Sequence, residues 1–176
     1  AKASLLLAKL CSNNLPVVLH AIAATERMAL RWPAVANDAV AGQLLALVDH
    51  RNDEVRAKSL CALARLEKLD ETTIESAAMM LESNLKHLLF AGVYALSKLD
   101  SVPGDIIPQL DRCLVRVLRS CDYEFLELFV KGYRRWLDDP QSHFESLLQN
   151  SPEYLPIVLE TLQKTPDDLV QIRLGA

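Results

Sequence analysis

Glycine and proline are scarce in this chain, five and eight residues out of 176, where average usage would give roughly 12% for the pair. That shortage excludes a collagen-like chain and an all-β domain built on Gly/Pro turns. Five scattered glycines also leave no place for a Gly-rich phosphate loop. The four cysteines (Cys11, Cys61, Cys113, Cys121) form no CxxC pair, and His20, His50, His87 and His143 lie far apart. HExxH and GxSxG are absent, so no residue set announces a metal centre or a catalytic nucleophile. Long hydrophobic runs are missing too. The longest stretch without Asp, Glu, Lys or Arg is the 16 residues between Lys9 and Glu26, interrupted by Ser12, Asn13, Asn14 and Pro16, which is unsuited to a membrane span. Leu5-Leu6-Leu7 lacks the length and cleavage pattern of a signal peptide. Positive charge is short as well: 19 Lys and Arg against 23 Asp and Glu give a net charge of -4, which argues against broad phosphate-neutralising nucleic-acid binding.

Leucine and alanine fill the space, with 33 and 20 residues, about 30% of the chain. Short apolar-periodic segments separated by breaks of Asn, Asp, Pro and Gly predict helices at 2–12, 15–31, 35–49, 53–69, 72–83, 85–99, 105–120, 123–137, 141–149, 153–164 and 167–174. Asp53, Asn84 and Asp122 stand where N-caps belong, and Thr72 with Glu75 has capping-box spacing. On the helix at 53–69, Val55, Ser59, Leu63, Leu66 and Leu69 gather on one side. Glu54, Lys58, Cys61, Arg65 and Lys68 make a wet stripe opposite. The cysteines are expected to be small buried hydrophobes of a cytoplasmic, reducing compartment.

The segment from Ala62 to Asp70 aligns without gaps on Gly92 to Asp100, an offset of 30, with Leu66/Leu96, Lys68/Lys98, Leu69/Leu99 and Asp70/Asp100 coinciding. Further back, Val55-Arg56 falls on Leu85-Lys86. A weaker third copy ends at Arg135-Trp136-Leu137-Asp138. The run Asn52-Asp53-Glu54-Val55-Arg56-Ala57, followed by Leu60, Leu63 and Leu66, resembles the second helix of a HEAT repeat, and Asn84-Leu85-Lys86 through Ala95-Leu96 resembles a divergent copy. The resemblance implies an all-α fold: a right-handed α-solenoid superhelix of about five antiparallel helix hairpins, one HEAT- or armadillo-like domain over 1–176. It implies structural repeat positions at Asp53, Val55, Arg56, Leu85 and Lys86, with Arg56 bonded to acids such as Asp49 and Asp53 and to carbonyls of adjacent turns. Neither end carries an obvious cap, so the chain is expected to be a segment of a longer protein.

Such arrays serve as scaffolds for many partners, so the expected function is a non-enzymatic protein-binding or scaffold module without cofactor or metal. Two patches are candidates. The helix at 85–99 replaces the wet stripe by Leu88, Ala91 and Ala95 and adds Phe90 and Tyr94; it is either an interior helix or an exposed apolar strip. Phe125, Phe129, Tyr133 and Trp136 form an aromatic row, with Arg134 and Arg135 alongside. Core packing accounts for such a row, and so does a partner-binding patch, since Tyr, Trp and Arg dominate interface hot spots. The binding residues expected are therefore Leu88, Tyr94, Tyr133, Arg134 and Trp136. Arg112, Arg116 and Arg119 draw a basic line along 105–120, which is a solvated face or a dock for an acidic peptide or a phosphate. Two alternatives belong to other classes. One is nucleic-acid binding, or base excision through Trp136 and Asp138 like the HEAT-like alkylpurine DNA glycosylases. The other is a structural spacer.

Overall fold

A computed structural model of the chain describes residues 1–165. These residues form ten α-helices and no strand: α1 (Lys2–Leu10), α2 (Leu15–Arg31), α3 (Asp38–Leu47), α4 (Asp53–Arg65), α5 (Glu71–Met80), α6 (Lys86–Ser97), α7 (Ile106–Arg119), α8 (Leu126–Trp136), α9 (Pro140–Leu147) and α10 (Leu155–Lys164). Short 3-10 turns at Pro33–Val35, Tyr123–Phe125 and Pro152–Tyr154 lie between α2 and α3, before α8 and before α10. The helix expected at 167–174 lies outside the described residues. None of the described helices is long and apolar enough to cross a membrane.

The helices gather into two compact units, Ala1–Lys98 and Leu99–Ala176. In the first, the pairs α1/α2, α3/α4 and α5/α6 are packed hairpins; α2 lies on α4, α4 on α6, and α1 on α3. A single hairpin has two apolar faces and covers one, so each needs its neighbour. The central layer is α4 and α6: Val55, Leu60, Ala62, Leu63, Ala91, Ala95 and Leu96 have at most 1% exposure. Gly92 permits the closest approach, since a Cβ there would stand 2.7 Å from the Ala77 carbonyl oxygen on α5. In the second unit α8 packs on α7 and α10, and α10 on α9, around Leu110, Leu114, Phe129, Val130, Tyr133, Phe144 and Val158.

Helix ends differ in detail from the sequence expectation. Asn52, not Asp53, caps α4: its side chain accepts from the Glu54 and Val55 amides, and Asp53 becomes the first helical residue. Asn84 does not cap α6, whose flanking residue is Leu85; the Ser83 hydroxyl accepts the Leu85 amide instead. The capping box of α5 is Asp70 with Thr73 rather than Thr72 with Glu75, because Asp70 already stands extended with its carboxylate on the Thr73 amide. Asp122 precedes the 3-10 turn and provides no side-chain cap. Helix α4 stops at Arg65, short of Leu69, where Glu67 takes a left-handed conformation (φ 56°) and the Lys68 amide bonds back to the Leu63 carbonyl at 2.9 Å. The same closure ends α7, with Cys121 at φ 56° and the Asp122 amide on the Val117 carbonyl at 3.1 Å. Both are Schellman-type stops.

Candidate functional site

The expected structural positions come first. Arg56 donates through Nε to the Val48 carbonyl and through Nη1 to Asp53, each at 3.3 Å. The end of α3 thus takes the role expected of Asp49, and the guanidinium fastens α3 to the start of α4. Val55 is fully buried, whereas its counterpart Leu85 is 46% exposed. The difference is one of helix phase: α6 starts at Lys86, leaving Leu85 outside the helix and Lys86 exposed on its first turn. Cys61 is buried rather than wet, because α2 and α6 cover both flanks of α4.

Two expected binding residues are interior. Leu88 is 5% exposed and Tyr133 is fully buried, so neither side chain is open to a partner. Burial gains most for the largest apolar groups, and Phe125 and Phe129 go the same way. Phe125 stands on the 3-10 turn, not on α8. Trp136 is half-buried: its indole folds back over Gly132, and Nε1 donates to the Leu99 carbonyl at 2.9 Å. Arg134 reaches α10 and donates to the Leu162 carbonyl, an acceptor of its last turn. Asp138, the residue a base-excision reading would need, is exposed beyond the end of α8. The aromatic row is therefore chiefly packing.

Tyr94 is different. It is half-buried on α6, stacked on Phe90 at 5.7 Å between centroids, with the Arg65 guanidinium 5.3 Å and the Lys98 ammonium 5.2 Å from its ring. Its hydroxyl accepts from Arg65 Nε at 3.0 Å, and Arg65 Nη1 pairs with Glu26 of α2. The Tyr94 hydroxyl and the Glu26 carboxylate both hold the guanidinium more firmly in its charged form. Three helices are thus tied at one point. Beside it opens a cleft of about 660 Å³. Ala29, Leu30, Pro33 and Leu66 give it apolar walls; Glu26, Arg27, Arg65, Glu67 and Lys68 give it a rim of both charges. Leu30, one of these wall residues, is 86% exposed.

The second unit holds a polar cluster that sequence reasoning missed. The Tyr133 hydroxyl donates to Asp111 Oδ1 at 2.5 Å, and His143 Nε2 meets the same oxygen at 2.8 Å. The Tyr133 phenol is pushed far above its ordinary pKa by burial and then by the Asp111 charge, so it stays a donor. His143 and Phe144 lie against its ring, 5.3 and 5.2 Å between centroids. Separations of 22 and 32 residues hide the cluster; the one local signal is an acid, Asp111, directly after the buried Leu110. Among the described residues no group of three or more His, Cys, Asp and Glu is placed to hold a metal ion. No protein-family model matches the chain, and neither does any curated protein.

Proposed function

We propose that the chain is a stretch of HEAT- or armadillo-like right-handed α-solenoid, of an intracellular, reducing setting, that acts without catalysis as a protein-interaction module. The hairpin-on-hairpin packing of α1 to α6 supports the repeat reading, and four free cysteines suit the setting. In this reading the binding surface is the cleft between the ends of α2 and α4, and its occupant is a partner segment that covers Leu30 with an apolar side chain. The observation that carries the proposal is the make-up of that cleft. An apolar floor with an exposed leucine, framed by Arg65, Tyr94 and paired charges, has the apolar-centre, polar-rim anatomy of recognition sites. A rim of both signs also suits a peptide better than a phosphate backbone.

Selection of a displayed peptide library on the immobilised protein, with Leu30→Asp as the counter-target, tests this. At an exposed helix end the substitution should leave the melting temperature unchanged. Clones enriched on the native protein are expected to lose at least about tenfold in affinity for the variant, one anchor side chain contributing roughly 1.5–3 kcal/mol when covered. Clones binding both proteins equally, or no enrichment, would favour the spacer reading.

A further inference from the structure

Helix α7 carries its charge on the side away from the core. Its buried stripe is Ile106, Leu110, Cys113, Leu114, Val117 and Leu118. Arg112 and Arg119 are exposed and Arg116 is half-buried. With Val115 and with Leu147 from α9, the three arginines line a cleft of about 530 Å³. At 1.5 Å rise per residue, Arg112 to Arg119 spans about 10 Å, the length of about three residues of extended chain. The carboxylate that also borders the cleft, Asp111, is turned to other use: Tyr133 and His143 both bond its Oδ1, and its side chain is only 18% exposed. Asp111 keeps its negative charge at that edge, and the three arginines outnumber it. In a chain of net charge -4, a concentrated positive face with apolar residues beside it departs from the average surface.

We propose that this cleft on α7 receives an acidic segment of a partner protein, its carboxylates on the exposed Arg112 and Arg119 and one apolar side chain against Val115 and Leu147. Guanidinium forks match carboxylates in geometry, and the two apolar residues distinguish this surface from a purely solvated charge row. The site lies in the second unit and stands or falls independently of the cleft beside Leu30.

The test uses the whole chain and a fluorescent peptide of alternating Asp and Glu around one leucine, followed by anisotropy. Its controls are the same peptide with Asn and Gln and a single-stranded DNA of equal length. The expected result is saturable binding of the acidic peptide alone, weakened several-fold between low and physiological salt. Reversing both exposed charges, Arg112→Glu with Arg119→Glu, should lower affinity by roughly 10- to 100-fold at an unchanged melting temperature. Should the reversal disturb folding, Arg112→Ala with Arg119→Ala should lower it by roughly 3- to 20-fold. Equal binding of the neutral peptide, no effect of either pair of substitutions, or tighter binding of the DNA would each overturn the proposal; the last would make the surface a phosphate site.

Discussion

Gly92 sits in the middle of α6, where a glycine ordinarily costs up to about 1 kcal/mol relative to alanine. Propensity alone would therefore make Gly92→Ala stabilising. The packing reverses the sign. The new methyl would lie 2.7 Å from the Ala77 carbonyl oxygen and 3.1 Å from Met80 Cβ, short of ordinary contact by several tenths of an ångström. Neither neighbour is a flexible tip: one is backbone, the other the first atom of a side chain that is 2% exposed. Helix α5 must move away from α6, and overpacking of this kind costs about 1–3 kcal/mol. The expected net loss is about 1–2 kcal/mol. Gly42 provides the matched control: it is exposed on α3, and a Cβ there meets nothing within 4 Å. Gly42→Ala should gain about 0.5–1 kcal/mol. Thermal unfolding followed by far-UV circular dichroism would read both, at roughly 4–8 °C per kcal/mol for a unit of this size. Gly92→Ala should melt earlier than the parent and Gly42→Ala later. If the two shift upward together, α5 and α6 are not as close as described and the hairpin packing argued above is wrong.

The cysteines should divide two and two: Cys11 and Cys121 are exposed, Cys61 and Cys113 buried. Burial pushes the Cys61 thiol up to about 12, so a thiol reagent at pH 8 should titrate two groups in the native chain and four in denaturant, and rapid reaction of all four would refute the burial. Asp70 caps α5, and bonds from the Thr72 hydroxyl and the Thr73 amide hold its carboxyl below the usual range. Its contribution is complete above the unfolded carboxylate value of about 4 and is lost as pH falls through the lower folded value. Asp70→Ala should cost about 1 kcal/mol at neutral pH; Asp70→Asn should keep most of the cap and show a flatter loss of melting temperature on acidification. Arg56→Ala leaves the Val48 carbonyl without its donor and should cost about 1–2 kcal/mol by denaturant titration; an unchanged midpoint would show that the contact has no structural weight.

Helix number and placement were readable because each apolar stripe is local: every described helix lies within one residue of the span its periodicity predicts, α5 and α9 each starting one residue early. The stops were harder. Leu66 and Leu69 continue the apolar spacing of α4, but the chain turns at Glu67, where a residue with a Cβ adopts φ 56°. Glycine is the usual mark of such a turn, and this chain places glutamate there and cysteine at 121. The caps moved by one or two residues for a related reason. Asn52, Asp53 and Asp70 are all competent acceptors, and backbone entry direction, invisible in composition, decides which one faces the open amides.

The candidate sites divide along the same line. Tyr133 has the polar tip and apolar body that suit either an interface or an interior, and its neighbours in sequence do not distinguish the two. What decides is whether a buried acceptor waits for the hydroxyl. Asp111 is that acceptor, held from the other side by His143, and a phenol so satisfied can be buried completely at little polar cost. The same bonds act on the surface. A carboxylate free to turn toward Arg112 would pair with it and blunt the basic row; Tyr133 and His143 instead hold Asp111 Oδ1 on their side of the cleft edge. One interior cluster therefore makes Tyr133 a core residue and fixes where the Asp111 carboxylate stands beside the α7 arginines. Tyr133→Phe tests both consequences at once. It should cost about 1–3 kcal/mol in unfolding, since Asp111 loses a donor in a mostly buried site, and it should weaken binding of the acidic peptide as the carboxylate, left with His143 alone, turns toward Arg112. Lost stability with undiminished peptide affinity would show that the cluster and the arginine face are unconnected.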